Sequence, residues 1–341
     1  MRVTTIHGTR DIRLEERPAP TIQQSTDALV RTVAACVCGS DLWPYRGEND
    51  ITVGNPIGHE TIGVVEEVGS SVSHVAPGDF VVIPFCHCDN TCLVCLKGMQ
   101  AGCQNLGMTQ GGQGEVVRAT QADGSLVTIP VSPEEADPGT IAALMALADV
   151  LPTGWHAAVS ARVEPGSSVV VVGDGAVGLC GVLAARELGA ERIIAMSRHA
   201  PRQAIARLFG ATDVVEERDQ EGVARVLDLT DGIGADAVLE CVGTDSSMKQ
   251  ALRSARPGAM VGYVGVPHGV NLPINAMFGR NVGVSGGMAP VRKYLPDLLE
   301  RTLAGTVDAG PVFDATMPLD DVAEAYRAMD ERRSIKVLLR P

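Results

Sequence analysis

The feature that most constrains the fold of this 341-residue chain is an apolar run followed at once by three closely spaced glycines. Residues 168–172 read Ser-Val-Val-Val-Val, which is typical of a strand buried on both faces. Gly173, Gly175 and Gly178 come next, and residues 177–188 have the composition of a helix. A strand, a glycine loop and a helix in this order are typical of the first turn of a dinucleotide-binding sheet.

Each residue of this loop has a separate expected role. Gly173 permits a tight turn, Gly175 lets a pyrophosphate approach the backbone, and Gly178 lets the helix pack closely on the strand. Ala176 and Val177 lie between the last two glycines, where the helix N-terminus would bind the pyrophosphate.

Strands and helices continue to alternate after this loop. A second helix is expected at residues 201–209, and further strands are expected at residues 192–196, 214–215, 237–240 and 260–264. Because consecutive parallel strands need a crossover between them, this alternation predicts an α/β fold with a doubly wound parallel sheet. We assign residues 154–288 to this dinucleotide-binding domain.

Residues 1–153 have a different pattern. Short Val-rich runs at 29–33, 62–68 and 80–83 are separated by turn signals, which predicts a β-rich, barrel-like domain. A helix is expected to open at Ser132 and to continue to residue 148. Residues 289–341 are expected to return to this domain and to end in a strand at 335–339.

The end of the second strand of the sheet domain indicates which coenzyme would bind. A carboxylate about twenty residues after the glycines would bind the 2′-hydroxyl of NAD. Here Ser197 and Arg198 stand at that position, with Arg202 nearby, and these side chains suit a 2′-phosphate. The sequence therefore favours NADP, with NAD as the alternative.

Three residues of the first domain suit a catalytic metal. Cys38, His59 and Asp149 offer a thiolate, an imidazole and a carboxylate, which are ligand types that Zn²⁺ accepts. Three protein ligands leave a fourth position open for water or substrate, as a Lewis-acid metal requires.

A cluster of cysteines between residues 86 and 103 suits a second, structural zinc. Cys92, Cys95 and Cys103 supply three thiolates, whereas a tetrahedral structural site needs four ligands. Asp89 extends the spacing regularly and Cys88 is the softer donor, so either residue could complete the site. The alternative is a set of reduced loop cysteines without metal.

Composition excludes several classes of function. The net charge of −13, with no cluster of Lys and Arg, gives nothing to attract nucleic acid or an anionic membrane. No run of eighteen apolar residues is present. Clustered cysteines without a signal peptide favour metal binding over disulfides, so a cytoplasmic location is expected.

The chain resembles the zinc-dependent medium-chain alcohol dehydrogenases over essentially its whole length. Three stretches carry the resemblance besides the glycine loop: Cys38-Gly-Ser-Asp41, Gly58-His-Glu-x2-Gly-x5-Gly-x2-Val72 and Asp149-x3-Thr-Gly154. The resemblance implies a GroES-like catalytic domain beside a Rossmann domain. It also implies hydride transfer between an alcohol and a nicotinamide coenzyme, and a homodimer or homotetramer.

The resemblance also implies roles for individual residues. Glu60 would lie beside the catalytic zinc and replace water as a ligand during turnover, and Ser40 would accept the substrate proton. Lys336 matches the C-terminal cation that faces the coenzyme pyrophosphate in the family. This chain departs from the family pattern at Trp43, where relatives often have a proton-relay histidine, and at Asp89, where relatives have the first lobe cysteine.

These features favour an NADP-preferring, zinc-dependent alcohol dehydrogenase or carbonyl reductase. Trp43, Tyr45 and Trp155 are candidates for lining an apolar substrate pocket. An NAD-dependent polyol, sugar or amino-alcohol dehydrogenase would share all the metal residues. The alternative outside enzymes is a cofactor-binding redox sensor, because a fold alone does not establish a function.

Overall fold

The computed structural model describes all residues, Met1–Pro341, and the chain divides into two compact units. The first unit comprises Met1–Asp149 and Pro290–Pro341, and the second comprises Val150–Ala289. The division falls before Val150 rather than after residue 153, because the helix that begins at Val150 packs against elements of the second unit.

The secondary structure is as follows. The strands are β1 (Arg2–Gly8), β2 (Asp11–Glu16), β3 (Ala28–Cys36), β4 (Asn55–Pro56), β5 (Thr61–Val68), β6 (Phe80–Ile83), β7 (Cys86–His87), β8 (Gly107–Met108), β9 (Val116–Ala119), β10 (Val127–Thr128), β11 (Ser168–Val172), β12 (Arg192–Met196), β13 (Asp213–Val215), β14 (Ala235–Glu240), β15 (Ala255–Tyr263), β16 (Gly283–Gly286), β17 (Ala315–Pro318) and β18 (Val337–Arg340). The helices are α1 (Leu42–Arg46), α2 (Leu93–Leu96), α3 (Ala122–Ser125), α4 (Pro138–Ala146), α5 (Val150–Ser160), α6 (Ala176–Glu187), α7 (Ala200–Leu208), α8 (Asp219–Leu229), α9 (Asp245–Ser254), α10 (Ile274–Arg280), α11 (Val291–Leu303) and α12 (Val322–Asp330).

The first unit is built around a seven-stranded sheet with the order β10-β6-β5-β3-β18-β17, in which β9 also pairs with β3. Strand β18 comes from the C-terminal segment and pairs antiparallel with β3. A three-stranded sheet, β2-β1-β4, and a two-stranded sheet, β7-β8, complete the unit. The sequence prediction of a β-rich domain is therefore confirmed, and the C-terminal residues supply one of its inner strands.

The second unit is a six-stranded sheet with the order β13-β12-β11-β14-β15-β16, and every pair in it is parallel. The apolar residues of β11 are buried, as the run of valines predicted. The strand order reverses at β11, and in doubly wound sheets such a reversal opens a crevice at the carboxyl ends of the strands. The α/β fold class is thus confirmed, and the glycine loop directly follows β11.

One predicted helix start was wrong. The helix expected to open at Ser132 begins at Pro138, and Asp137 caps it by accepting hydrogen bonds from the backbone N–H groups of Gly139 and Thr140. Proline suits the first helical position because its φ angle is already helical. At Ser132 the backbone N–H instead donates to the carboxylate of Glu135, which holds a local turn.

No single helix is long and apolar enough to cross a membrane. The consecutive helices α4 and α5 meet the length and composition requirement only when they are counted together, and most of their residues are buried.

Candidate functional site

The first unit brings together Cys38, His59, Glu60 and Asp149, here called the Cys38 cluster. One ligand atom from each lies within 4.8 Å of the others. Sγ of Cys38 is 3.5 Å from Oδ2 of Asp149, and Nε2 of His59 is 3.6 Å from the same oxygen. Cys38 follows β3, His59 and Glu60 immediately precede β5, and Asp149 follows α4. Segments far apart in sequence therefore meet at the ends of packed elements.

These distances suit a zinc ion. Bonds of about 2.0 to 2.3 Å arranged tetrahedrally separate the ligand atoms by roughly 3.3 to 3.8 Å. The two distances from Oδ2 of Asp149 fall in this interval. In addition, Oε1 of Glu60 is buried without a hydrogen-bond partner, as a nearby cation would explain. Donor set and spacing therefore both fit the metal.

His59 is oriented by residues for which the sequence analysis assigned no role. Nδ1 of His59 lies 3.3 Å from Oδ1 of Asp41, so Nε2 faces the cluster. Oδ2 of Asp41 accepts hydrogen bonds from the backbone N–H of Cys38 and from Nε2 of Gln113. The Tyr326 hydroxyl in turn donates to Oε1 of Gln113. Metal-binding histidines typically have such a carboxylate partner, and an aspartate three residues after Cys38 was the available signal.

Gly58 explains how His59 reaches this position. Its φ angle is +94°, a conformation that L side chains rarely adopt. A Cβ atom there would lie 2.5 Å from Cγ of Gln113 and 2.7 Å from its backbone nitrogen. Only glycine therefore lets the chain pass Gln113 closely before it enters β5.

The electrostatics of the Cys38 cluster favour a cation. Burial, together with the carboxylates of Glu60 and Asp149, raises the pKa of the Cys38 thiol. Burial alone would lower the pKa of His59, but Asp41, Cys38 when it is ionised, and Asp149 raise it well above its ordinary value. The cluster therefore retains protons that a divalent metal would displace, because a metal deprotonates a coordinating thiol and needs a neutral imidazole.

Lys336 lies in the interior of the first unit. Its side chain and that of Glu60 are each 1% exposed, and its Nζ donates to Oε2 of Glu60 at 2.5 Å and to the Val37 carbonyl at 3.1 Å. The Cys36 thiol also donates to Oε2 of Glu60, at 2.6 Å. The ammonium thus neutralises a buried carboxylate of the Cys38 cluster, and the contact with the coenzyme pyrophosphate that the resemblance implies stays a prediction. A buried charge needs such a partner, and sequence position alone could not reveal it.

Ser40 lies beside the cluster, whereas two of the suggested pocket residues are buried. Oγ of Ser40 is 3.5 Å from Nε2 of His59. Trp43 is half-buried, in α1. Tyr45 is buried and stacks at a tilt against Tyr326, with ring centroids 5.4 Å apart, in an apolar core of the first unit. Trp155 is buried within α5. Tyr45 is therefore a core residue rather than part of a pocket wall.

A second group, here called the lobe cluster, consists of Asp89, Cys92, Cys95 and Cys103. One ligand atom from each lies within 4.8 Å of the others, and the Sγ atoms of Cys92 and Cys103 are 3.9 Å apart. Cys88 is not in this group, and its thiol donates to the Gly124 carbonyl. Of the two candidates for the fourth ligand, the structure therefore brings Asp89 to the three thiols. Three sulfurs and one carboxylate oxygen also fit a closed zinc site.

Asp89 is held in position by its surroundings. Its Oδ1 accepts hydrogen bonds from the backbone N–H groups of Thr91 and Cys92, and its Oδ2 accepts one from Nδ2 of Asn105. Burial opposes ionisation of Asp89, but these donors prevail and hold its pKa well below the usual range. The backbone N–H groups of Asp89 and Asn105 both donate to Sγ of Cys103. The segment thus supplies its own outer hydrogen bonds to an anionic, metal-binding cluster.

The glycine loop of the second unit has the geometry expected of a pyrophosphate-binding turn. Gly173 has a φ angle of +119°, Gly175 caps α6, and Ala176 and Val177 form the first turn of that helix. A Cβ atom on Gly178 would lie only 2.0 Å from the Gly173 carbonyl oxygen. Glycine is thus required there, and the free N–H groups of the helix N-terminus suit an anion.

The three residues expected to select the coenzyme differ in burial and in their partners. Ser197 is buried and its hydroxyl donates to Oδ2 of Asp174 at 2.8 Å. Arg202 donates from one terminal nitrogen to Oδ1 and to the backbone carbonyl of Asp174, both at 3.2 Å. Arg198 is exposed. No role for Asp174 follows from the sequence alone, although its position within the glycine loop was a signal.

Comparisons with known proteins agree with this combination of folds and clusters. Residues 24–131 match the model of the alcohol dehydrogenase GroES-like domain, and residues 176–304 match that of the zinc-binding dehydrogenases. The zinc-type alcohol dehydrogenase B of Aspergillus flavus is 33% identical, over 100% of this chain and 81% of that protein.

Solved structures give the same result. The alcohol dehydrogenase TADH from Thermus sp. ATN1 has a TM-score of 0.90 and 31% identity, covering 100% of this chain and 99% of that one. The zinc-dependent alcohol dehydrogenase 2 from Streptococcus pneumonia has a TM-score of 0.91 and 29% identity, covering 100% and 98%.

A β-rich domain with a mixed-donor metal cluster, beside a doubly wound sheet with a glycine loop, defines the class of metal-dependent dehydrogenases. Within that class, the chain belongs to the zinc-dependent medium-chain alcohol dehydrogenase family. It is therefore an oxidoreductase of a family that uses zinc and a nicotinamide coenzyme, which confirms the resemblance found in the sequence.

Proposed function

We propose that this protein is a zinc-dependent alcohol dehydrogenase or carbonyl reductase that transfers a hydride between an alcohol and NADP. The single observation that carries the proposal is the convergence of Cys38, His59, Glu60 and Asp149, with Ser40 beside them. The donors Sγ, Nε2 and Oδ2 are the mixed set typical of catalytic zinc with an open position.

In this proposal Cys38, His59 and Asp149 hold the zinc, and Glu60 lies beside it. Bound there, the metal would supply Lewis-acid polarisation of the substrate oxygen. Asp41 fixes the tautomer and ring orientation of His59. Lys336 and Cys36 hold Oε2 of Glu60 and leave Oε1 without a hydrogen-bond partner, so Oε1 is the oxygen that can approach the metal.

In this proposal Ser40 accepts the proton of the alcohol substrate. Its hydroxyl can accept the proton of the alcohol while donating its own, because an O–H group is both donor and acceptor. Its 3.5 Å distance from Nε2 of His59 leaves it beside the metal ligands rather than among them. Relatives often have a proton-relay histidine where this chain has Trp43, so a proton leaving Ser40 needs another route.

We propose NADP as the preferred coenzyme because Ser197 and Arg198 directly follow β12, with Arg202 nearby in the first turn of α7. Arg198 offers a planar guanidinium fork that matches phosphate oxygens. A charge-assisted contact of this kind contributes roughly 1.5–3 kcal/mol, which corresponds to a preference of about ten- to over a hundredfold. One observation favours the alternative, an NAD-dependent polyol, sugar or amino-alcohol dehydrogenase, namely the Asp174 carboxylate against Ser197 and Arg202.

The test compares kcat/KM for both coenzymes, with a panel of alcohols and carbonyl compounds, in the wild type and in Arg198→Ala. We expect the variant to raise the KM for NADP by at least about tenfold and to leave that for NAD nearly unchanged. Arg192→Ala is the matched control, since Arg192 is an exposed arginine at the start of β12, the strand before Arg198, and faces Asp213. Equal use of both coenzymes by the wild type would refute the NADP assignment. Equal losses with both coenzymes in Arg198→Ala would refute the role of Arg198 and mean that other groups bind the ribose. No turnover with any substrate would favour the redox sensor.

We also propose that the protein is a homodimer or homotetramer. Strand β16 pairs with β15 only and so ends the six-stranded sheet. Phe278, in α10 just before this strand, is 85% exposed. An unpaired strand beside exposed apolar side chains is a typical site of association. Light scattering coupled to size-exclusion chromatography would measure the assembly directly.

A further inference from the structure

Asp174 occupies a position that the glycine motif leaves variable, yet its side chain is tied to the end of the neighbouring strand. Its two carboxylate oxygens take different partners: Oδ2 accepts from the Ser197 hydroxyl, and Oδ1 accepts from Arg202. The side chains of Asp174 and Arg202 are only 14% and 12% exposed. This ion pair is therefore poorly screened by solvent, unlike a surface pair.

The contacts of Asp174 with Ser197 and Arg202 reduce the number of free phosphate-binding side chains near the end of β12. Ser197 and Arg202 are two of the three side chains that suit a 2′-phosphate, and both already bind a carboxylate. Of the three, only Arg198 is exposed. A carboxylate at the end of the second strand usually accepts the ribose 2′-hydroxyl of NAD. In this chain the carboxylate comes from the glycine loop instead.

We propose that Asp174 is a specificity-determining residue that limits the preference of this protein for NADP over NAD. Its negative charge neutralises Arg202 and repels a 2′-phosphate, whereas the same oxygens can accept a hydrogen bond from a 2′-hydroxyl. In this proposal Arg198 attracts a phosphate at the 2′-position of the coenzyme ribose, and Asp174 repels it. The inference rests on the proposed function in one respect, which is that a nicotinamide coenzyme binds at the glycine loop.

Asp174→Asn tests this inference without any turnover. Asparagine keeps the size of the side chain and an acceptor for the Ser197 hydroxyl, but it removes the charge. Dissociation constants for NAD and NADP would be measured by calorimetry on the full chain, together with those for AMP and adenosine 2′,5′-bisphosphate, which isolate the 2′-phosphate. We expect the ratio of the NAD to the NADP dissociation constant to rise by about tenfold, and the two adenosine ligands to follow it.

Asp213→Asn is the matched control, because Asp213 is also in the second unit and faces an arginine, Arg192, at 3.4 Å. It should leave the ratio unchanged. If Asp174→Asn does not fold, Asp174→Ser removes the same charge and carries the same expectation. An unchanged ratio in the charge-removing variant would overturn the inference, and so would a fall, since a fall would mean that Asp174 prepares Arg202 for the phosphate.

This outcome is separate from that of the proposed function. The NADP assignment is decided by the ratio in the wild type alone, whereas the role of Asp174 is decided by the change in that ratio. A wild type that prefers NAD would refute the assignment, and a tenfold shift in the variant would still support the inference about Asp174.

Discussion

The Cys38 cluster and the lobe cluster both bring four metal-binding side chains together in the first unit, but they are assembled in opposite ways. The Cys38 cluster joins residues that are far apart in sequence: Cys38 and Asp149 are separated by 111 positions. The lobe cluster lies within residues 89–103, and its outer hydrogen bonds come from the same segment and from Asn105. One cluster is thus positioned by the fold, and the other by its own loop.

The difference predicts which cluster depends on a metal for its shape. Asp41, Gln113 and Lys336 hold the Cys38 cluster through hydrogen bonds that need no metal. The buried core of the lobe consists of its own cysteines, and Leu93 and Leu96 beside it are 76% and 70% exposed. We therefore expect a bound ion to order this loop, because metal binding would then supply the folding free energy.

The largest expected effect is on turnover through the Cys38 cluster. Cys38→Ser or His59→Ala should remove the catalytic zinc and lower kcat/KM by about a thousandfold or more. A Lewis acid contributes several kcal/mol to the transition state, at about 1.4 kcal/mol per decade. Metal analysis and steady-state kinetics would measure both effects. The far-UV circular dichroism should stay that of the wild type, since the fold holds this cluster.

Cys86→Ser is a suitable control for that experiment, because Cys86 is a buried cysteine of the same unit outside both clusters. Substantial activity in a zinc-depleted Cys38→Ser protein would refute the assignment of the catalytic metal. Loss of the fold in both Cys38→Ser and His59→Ala would contradict the contrast between the two clusters.

A smaller effect, confined to one loop, is expected from the lobe. Cys95→Ser should remove one zinc ion per chain and leave the zinc at Cys38 in place. The amide protons of Asp89 and Asn105, which bind Cys103, should then exchange at least about a hundredfold faster, because their acceptor loses its metal. Hydrogen exchange followed by mass spectrometry would locate the change.

Cys88→Ser is the matched control for the lobe, and it also tests the alternative fourth ligand. If Asp89 completes the site, Cys88→Ser keeps the lobe zinc. A wild type that contains a single zinc ion per chain, bound at Cys38, would show instead that the lobe is held by packing alone.

The smallest expected effect is a change in the affinity of the lobe for zinc. Asn105→Ala removes the amide that orients Oδ2 of Asp89 and should weaken zinc binding by about tenfold, as is typical of outer-shell partners. Competition with a chromophoric chelator would measure this affinity. The adjacent exposed Gln104→Ala should leave it unchanged. Equal affinities in Asn105→Ala and the wild type would mean that the backbone donors alone position Asp89.

Local patterns predicted the residue types of both clusters and the turn that follows β11. Spacing indicated the three lobe cysteines because they are close in sequence, and it indicated the glycine loop because its chemistry is local. The exclusion of Cys88 was not predictable, since it depends on the direction in which its thiol points toward Gly124.

The hydrogen-bond partners that long-range packing brings to the site residues could not be predicted from the sequence. Gln113 donates a hydrogen bond to Asp41 and accepts one from Tyr326, so these bonds join three distant segments. Hydrophobic periodicity carries no information about such contacts. The contact between Asp174 and Ser197 joins two strand ends that became neighbours only when the sheet formed. The burial of Lys336 against Glu60 was not predictable either, because a family pattern records position and not burial.

The pairing of β18 with β3 has a consequence for the order in which the molecule can be completed during synthesis. The second unit, Val150–Ala289, is continuous in sequence. The first unit combines Met1–Asp149 with Pro290–Pro341, so it is complete only after the C-terminal segment has been synthesised. Until β18 leaves the ribosome, β3 lacks one of its neighbours and Glu60 lacks the ammonium group of Lys336. The N-terminal residues are thus made first, and the unit they form is completed last.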